Sequence, residues 1–542
     1  MADRTNVLRS SAVWHFLTNF GLYYRASLIG RFFAAWRRSW EHSRTRVITD
    51  RVLGASQRSG ENSVFYRVYC AIARALSRLG ASLSTAARNS LPGMIWNSKS
   101  MHGSAIWRLL FGHTMRRFIV AVFALYLPID WLLRDLLPIA AIASVWDEAM
   151  LIFGFLYAVF QRMCAPENEK PRITPLDTLL MAFIGLGLVL MVLTAESMSI
   201  ALAGYRAVAQ YMLWFFILTR IMRDDGDADA FIAILTLIGV ATALHGIAQY
   251  VMGVEIPASW TTHTEVGVRT RVFSIFGSPN IMGSYLVMSA PLAASYAYRT
   301  KNRFGQIAAW AAVGVIGLAC LLTFSRGAWL GFAVMVATFA WLRDKRLFAL
   351  IALALGFAVM VPEVVNRITF LFTDDFAFAS QFGGRAGRAR DGMKLFHSSN
   401  EWLGYGLGRF GGAVAMQNQT NPDIVYFYMD NYYLKTLVEM GYLGLAGYVV
   451  LLIGTIFTGL RAAYRTKGTK WSAVTCGLLA GMVGVLTHCF TENIFEVPYM
   501  NAYFWGMAAV MLWLGFVWKP KTAAQVGVFN PNSSQRKKKR RS

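Results

Sequence analysis

Asp430 and Asn431 open a patterned stretch, Asp430-Asn431-Tyr-Tyr-Leu-Lys-Thr-Leu-Val-Glu-Met-Gly441-Tyr-Leu-Gly444, at the point where a long polar segment gives way to an apolar run. A carboxylate at such a junction has two ordinary uses. It accepts backbone N–H bonds as a helix N-cap, or it orients a reacting hydroxyl and takes its proton; local chemistry leaves both open. Arginines collect in the polar segment before it, as Arg385, Arg388, Arg390 and Arg409, while Arg269, Arg271 and Arg326 stand in two shorter polar breaks upstream. A guanidinium is planar and permanently charged, and it grips paired oxygens through parallel N–H bonds. The residues that satisfy these arginines are therefore either carboxylates of the same segments, such as Asp374, Asp375 and Asp391, or the oxygens of an anionic ligand. Other chemistries find less support. Gly406 to Gly411 spells GxGxxG, but a dinucleotide site needs a preceding strand and a βαβ unit. His263, His397 and His488 are too scattered for metal-ligand spacing, so neither a metal nor another cofactor is expected. Cys70, Cys164, Cys320, Cys476 and Cys489 form no CxxC pair and read as packing residues.

The elements that must position these groups are membrane-spanning helices. Of the 542 residues, 56% are hydrophobic and only 15% charged, against about 25% charged in a soluble domain. Mean hydropathy is +0.42. Apolar runs of spanning length are centred near 128, 154, 185, 210, 240, 290, 314, 335, 354, 451, 481 and 508, which predicts an all-α polytopic protein of about twelve transmembrane helices. The formal net charge of +24 comes largely from the two ends and the short segments between apolar runs; that arrangement fits an anionic membrane leaflet better than nucleic acid. Arg116 with Arg117, the turn from Arg162 to Arg172, Arg220 with Arg223, Arg299 to Arg303, Arg343 to Arg346, Arg461 to Lys470 and the tail from Arg536 to Arg541 fall on one side if each run crosses once. The positive-inside rule makes that side, and both termini, cytoplasmic. The opposite loops near 195–199 and 491–498 carry no Lys or Arg.

Three segments on the outer side break the charge rule, namely 253–280, 325–327 and 363–432, and they hold the arginines named above. The last is far longer than an ordinary connection, and such loops tend to be functional. It is rich in glycine and closes on Tyr426, Tyr428, Tyr432 and Tyr433. Tyrosine faces suit stacking on sugars, and tyrosines also populate membrane interfaces. The chain thus divides into a basic cytoplasmic region 1–117, a polytopic domain 118–518 with the external loop 363–432, and a basic tail 519–542. In the first region, 12–38 and 63–80 read as amphipathic helices lying on the membrane, or else as a disordered basic tail. No removable signal peptide is expected.

These residues resemble the bacterial O-antigen ligase-like family, which includes the O-antigen and exopolysaccharide polymerases. The resemblance covers about residues 118–518. It is carried by Arg271-Val-Phe-Ser-Ile-Phe-Gly-Ser-Pro279-Asn280, by Leu-Thr-Phe-Ser325-Arg326-Gly327, by Arg385/Arg388 followed by Trp402-Leu-Gly-Tyr-Gly-Leu-Gly, and by the Asp430–Gly444 run. In the ligases a His precedes Asn, Ser or Gln, then nine residues and GxxG; here Asn431 and Gly441-x-x-Gly444 keep that spacing, and Asp430 stands in the histidine's place. The family likeness implies a GT-C-like membrane glycosyltransferase of cell-surface polysaccharide or glycoconjugate biosynthesis in the bacterial cytoplasmic membrane. It would transfer a glycan from a polyprenyl-diphosphate donor to an acceptor hydroxyl on the outer face, without a metal, with inversion at the anomeric carbon. On that reading Arg271 and Arg388 hold the diphosphate, with Arg385, Arg326 and Arg409 as further candidates. Asn431 lies in the substrate site, and Asp430 orients the acceptor, a sugar, lipid-linked glycan or glycoprotein, and takes its proton. The choice between ligase and polymerase stays open, and other polysaccharide-assembly membrane proteins are possible partners.

The rival reading is a transporter or flippase of lipid-linked sugar, in which Asp147 and Glu148 of the second apolar run would couple protons. A non-catalytic membrane scaffold is the third; it predicts that the arginines tolerate substitution.

Overall fold

The computed structural model describes residues 64–87, 113–137, 139–255, 270–348, 362–381, 384–420 and 428–518, with a few isolated positions elsewhere. Among them every regular element is a helix. Six helices are long and apolar enough to cross a membrane: Asp177–Thr194, Met198–Ile221, Asp225–Met252, Arg303–Leu322, Tyr432–Arg465 and Pro498–Val517. Arg326–Leu342 and Ser472–His488 are apolar but shorter. Every predicted centre except the one near 354, which lies in a stretch mostly outside the described residues, falls inside a helix. The expected amphipathic segment at 63–80 is a helix, Val64–Ala87; the one at 12–38 and the basic tail 519–542 fall outside the described residues, apart from isolated positions in the former.

Local sequence sets the helix ends. Asp224 caps Asp225–Met252 in a capping box with Asp227, and Gly253 ends the helix in the left-handed conformation at φ 66°, as these residue types favour. The helix Pro279–Arg299 lies at the centre and is buried almost throughout. Its small and hydroxylated residues serve that position. Ser295 Oγ donates to the carbonyls of Pro291 (2.7 Å) and Ala473 (3.0 Å), and a Cβ on Gly239 would lie 2.4 Å from Ser289 Oγ, so neighbouring backbones approach closely, as small residues allow between membrane helices.

The connections expected to share one side do meet. Arg116 pairs with Asp224 at 2.6 Å and with Asp227 at 3.3 Å, Arg299 with Asp229 at 2.7 Å, Lys470 with Asp225 at 2.7 Å and Arg223 with Glu169 at 3.2 Å; Arg220 pairs with Asp177. This belt closes one end of the bundle. Val64–Ala87 lies across the same end. Ser77 Oγ donates to the Arg162 carbonyl (3.2 Å), Arg162 Nε to the Ala73 carbonyl (3.0 Å), and a Cβ on Gly80 would meet the Met163 carbonyl oxygen at 2.2 Å.

The opposite end carries the polar loop. Arg385–Ser398 is a helix, and its Leu395 and Phe396 form a small core with Phe410, Met429 and Val438. The segment 400–413 then plugs a break in Tyr432–Arg465. Gly441 departs from helical geometry at φ 66°, ψ −170°. Backbone groups freed by the break are satisfied by the loop: Tyr405 and Gly406 donate to the carbonyls of Val438 (2.7 Å) and Glu439 (3.0 Å), and Tyr442 and Leu443 donate to those of Glu401 (2.8 Å) and Trp402 (3.2 Å). Irregular backbone in a membrane helix is tolerable only where protein or water supplies such partners.

Candidate active site

Separate chain segments converge beside Asp430. Arg388 Nη1 lies 3.0 Å from Asp430 Oδ2, and Arg385 Nε lies 3.8 Å from Oδ1. The Asp430 side chain is 17% exposed and those of Arg388 and Arg385 are 35% and 49% exposed, so the carboxylate is recessed while both guanidiniums reach the surface. Arginines three residues apart on Arg385–Ser398 share a face of that helix, which is why both meet one acid.

Asp430 is free for this role because its neighbour caps the helix. Asn431 Oδ1 accepts the Leu434 N–H at 3.0 Å as the N-cap of Tyr432–Arg465. Of the two functions open to Asp430 in the sequence, capping thus falls to Asn431. The adjoining segment 488–493 is fastened to this junction: Tyr432 N–H donates to the Cys489 carbonyl at 3.0 Å, and Asn493 Nδ2 donates to the Gly411 carbonyl at 3.1 Å.

Glu492 on that segment is the residue that sequence reasoning missed. Asn280 Nδ2 donates to its Oε2, and Arg271 Nη2 donates to Asn280 Oδ1 at 3.3 Å while Arg271 Nε donates to the Thr323 carbonyl at 3.1 Å. A chain of contacts therefore runs from Arg271 through Asn280 to Glu492. Burial pushes the Glu492 carboxyl above its ordinary value, and the Asp430 charge adds to this; Arg385, the Asn280 amide and the Asn493 N–H act in the opposite sense. Its only sequence signal was an acidic residue in a loop without Lys or Arg, and nothing in that loop names Asn280 or Asp430 as neighbours.

Arg271 is 8% exposed, deeper than Arg388. Arg326 is the first residue of Arg326–Leu342, with Ser325 as its cap. The next residue, Gly327, packs on the 488–491 segment so tightly that a Cβ there would lie 2.1 Å from Thr491 Oγ1, which puts the Arg326 backbone at the border of the site. Arg409 stands apart. Its Nη1 bonds Glu196 Oε1 at 2.5 Å and the Tyr405 carbonyl at 3.0 Å, and its guanidinium stacks 4.1 Å above the Tyr405 ring. Asp391 pairs with Lys394 at 3.1 Å. Tyr432 and Tyr433 pack among aromatic rings, with Phe495 5.3 Å from the first and Phe490 4.4 Å from the second; Tyr428 is 48% exposed, and Tyr426 lies outside the described residues.

A buried charge cluster underlies the glycine-rich loop. Lys435 Nζ lies 2.6 Å from Glu439 Oε2 and 3.3 Å from Glu496 Oε2. The other carboxylate oxygens accept backbone N–H bonds, Glu439 from Phe410 (3.2 Å) and Glu496 from Ala413 (2.9 Å). The extra negative charge is thereby met by loop amides, and the loop is held against the broken helix.

Asp147 and Glu148 lie in the first turn of Trp146–Met163, at a helix end. Asp147 Oδ2 accepts from Tyr126 (2.9 Å) and Tyr211 (3.1 Å) hydroxyls, and Glu148 pairs with Arg206.

Apolar helices around a buried polar centre, with an arginine-flanked carboxylate at one end, define an integral membrane protein with a candidate site for an anionic ligand. The O-antigen ligase family model matches residues 310–449, which points to a membrane ligase or polymerase of polysaccharide biosynthesis. The matched span holds Arg326, Arg385, Arg388, Arg409, Asp430, Asn431 and Gly441, whereas Arg271, Asn280 and Glu492 lie outside it. No curated protein matches the chain.

Proposed function

We propose that this protein is a membrane glycosyltransferase, a ligase or a polymerase, that moves a glycan from a polyprenyl-diphosphate carrier to an acceptor hydroxyl on the outer face of the bacterial cytoplasmic membrane. The observation that carries this reading is the contact of Asp430 with Arg388 and Arg385 at the end of the bundle remote from the basic belt. Both termini are then cytoplasmic, and the chain crosses about twelve times in a GT-C-like arrangement.

In this reading Arg388 and Arg385 present their guanidiniums to the diphosphate, Arg271 supports them from below, and Arg326 borders the pocket. Fixed cations can neutralise a diphosphate leaving group as a divalent ion would, each charge-assisted hydrogen bond contributing about 1.5–3 kcal/mol. The acceptor oxygen attacks the anomeric carbon from the face opposite the leaving group, the carbon–diphosphate bond breaks, and the configuration inverts. Asp430 orients the hydroxyl and receives its proton as the new bond forms. Arg409 serves as the clamp that keeps the glycine-rich loop in place.

The helix Val64–Ala87 fits a position on the cytoplasmic leaflet. Val64, Val68, Ile72, Leu79 and Leu83 are exposed along one face, Ala73, Ser77 and Gly80 dock on the bundle, and Arg67, Arg74 and Arg78 lie between, as an interfacial helix requires.

Purified protein is incubated in detergent with a polyprenyl-diphosphate-linked oligosaccharide and a candidate acceptor. A covalent product identified by mass spectrometry supports the transferase. Movement of donor across a vesicle bilayer with no covalent product assigns the protein to transport instead, although the placement of Asp147 and Glu148 at a helix end, engaged by Tyr126, Tyr211 and Arg206, gives that reading no midplane site.

A further inference from the structure

Two sets of contacts fix Glu492 and its segment. On one side, Arg271 and Asn280 lead to Glu492. On the other, the Tyr432–Cys489 backbone bond and the Asn493–Gly411 bond hold the 489–493 segment against the turn that carries Asp430. Arg385 lies 3.8 Å from Asp430 and acts electrostatically on Glu492 and His488 as well, so the two acids and a guanidinium form one cluster.

The acids differ in environment. Asp430 faces two guanidiniums, Arg388 at 3.0 Å and Arg385 at 3.8 Å. Glu492 faces the Asp430 charge and the Asn280 amide, with Arg385 as a cationic neighbour, and its Oε1 accepts from the Asn493 N–H at 3.3 Å. Cys489 and His488 are the remaining titratable groups on its own segment, and His488 Nδ1 is engaged at 2.6 Å by Ser284 Oγ. Between two neighbouring carboxylates, a proton settles on the one less stabilised as an anion.

We propose that Glu492 is the proton-holding partner of Asp430 during transfer. As the acceptor oxygen bonds to the anomeric carbon and the carbon–diphosphate bond breaks, the hydroxyl proton passes to Asp430 and then to Glu492. It leaves to the diphosphate product or to water when the site reopens. The inference rests on the transferase reading. Glu492 acts through Asp430 and is a positioning residue, with Asn280 and Arg271 fixing its direction. The sign of the pH dependence follows: relay needs Glu492 ionised, and its affinity for protons is raised, so kcat declines on the acid side where Glu492 becomes protonated.

The test uses the full chain in detergent with a polyprenyl-diphosphate-linked oligosaccharide donor. Glu492→Gln is expected to lower kcat about 100-fold, within the range that proton transfer contributes, to leave KM for the donor unchanged and to remove the acid limb set by Glu492. Glu492→Asp restores most of the rate with that limb moved to lower pH. Wild-type kcat and an unchanged acid limb in Glu492→Gln overturn the proposal; should that variant not fold, an unmoved limb in Glu492→Asp does the same. If the wild-type protein transfers no glycan, the transferase reading fails separately, and infrared titration of the carboxyl bands in wild type and Asp430→Asn still decides the coupling. The Glu492 midpoint falls when the Asp430 charge is removed if the pair is linked, and it stays where it was if not.

Discussion

Gly404 and Gly441 meet backbone to backbone: a Cβ on Gly404 would lie 2.4 Å from the Gly441 amide nitrogen, and a Cβ on Gly441 would lie 2.5 Å from the Trp402 carbonyl oxygen. Both adopt positive φ, 87° and 66°. Neither the space nor the backbone conformation admits a side chain. Gly441→Ala is expected to destabilise the protein by at least about 1–3 kcal/mol, read as a lower midpoint of thermal aggregation in detergent, with transfer lost together with the loop seat. A variant that melts and turns over like wild type would show that the break is not needed.

Asp430 and Asn431 are adjacent but separate in task, and substitution should separate them. Asp430→Ala is expected to leave the protein inserted and monodisperse while reducing transfer about 100- to 10,000-fold. Asn431→Ala removes a cap and should cost about 1 kcal/mol of stability, which Asn431→Asp restores. Product formation and melting midpoint, measured on all three, decide the division.

Arg388→Lys keeps the charge and loses the planar fork. Turnover should fall and donor KM should rise, because an ammonium cannot reproduce paired N–H bonds to phosphate oxygens. Arg409→Lys should instead loosen the loop, lowering thermal stability more than donor affinity, since its guanidinium is engaged by Glu196 and Tyr405. Equal donor binding by wild type and Arg388→Lys, measured by titration with the lipid-linked donor, would count against the diphosphate grip.

Lys435→Met leaves Glu439 and Glu496 facing each other with no cation between them; all three side chains are under a tenth exposed. Removing one partner of such a buried set costs about 3–5 kcal/mol. The expected signature is protease sensitivity in the 400–413 segment before the bundle itself melts. Resistance equal to wild type would mean that the loop is held by its backbone bonds alone.

Much of this arrangement was written in the sequence and some of it was not. Spans were legible because twenty-residue apolar runs have few other uses, and Arg385 and Arg388 stood out by charge. The helix that puts both on one face and their common partner Asp430 were not legible, since the acids of their own segment, Asp374, Asp375 and Asp391, were equally open to them. The cap was ambiguous because Asp430 and Asn431 are both good capping residues, and only backbone geometry assigns the task to Asn431. The glycines of 404–412 read as a failed nucleotide motif; their real partners, the Val438 and Glu439 carbonyls, are identified only by the helix break at Gly441. Glu492 was hidden for a similar reason. Its environment is made by Asn280 and Asp430, each far away along the chain, and burial rather than residue type sets its affinity for protons.

The Asn280–Glu492 contact also has a bearing on biogenesis. Arg271 leaves the ribosome early and waits for an acid that emerges more than two hundred residues later, after most of the bundle has been threaded into the bilayer. On the transferase reading proposed above, a nascent chain stopped short of that loop would lack half of the pocket, so premature contact with a carrier lipid during synthesis should be unproductive.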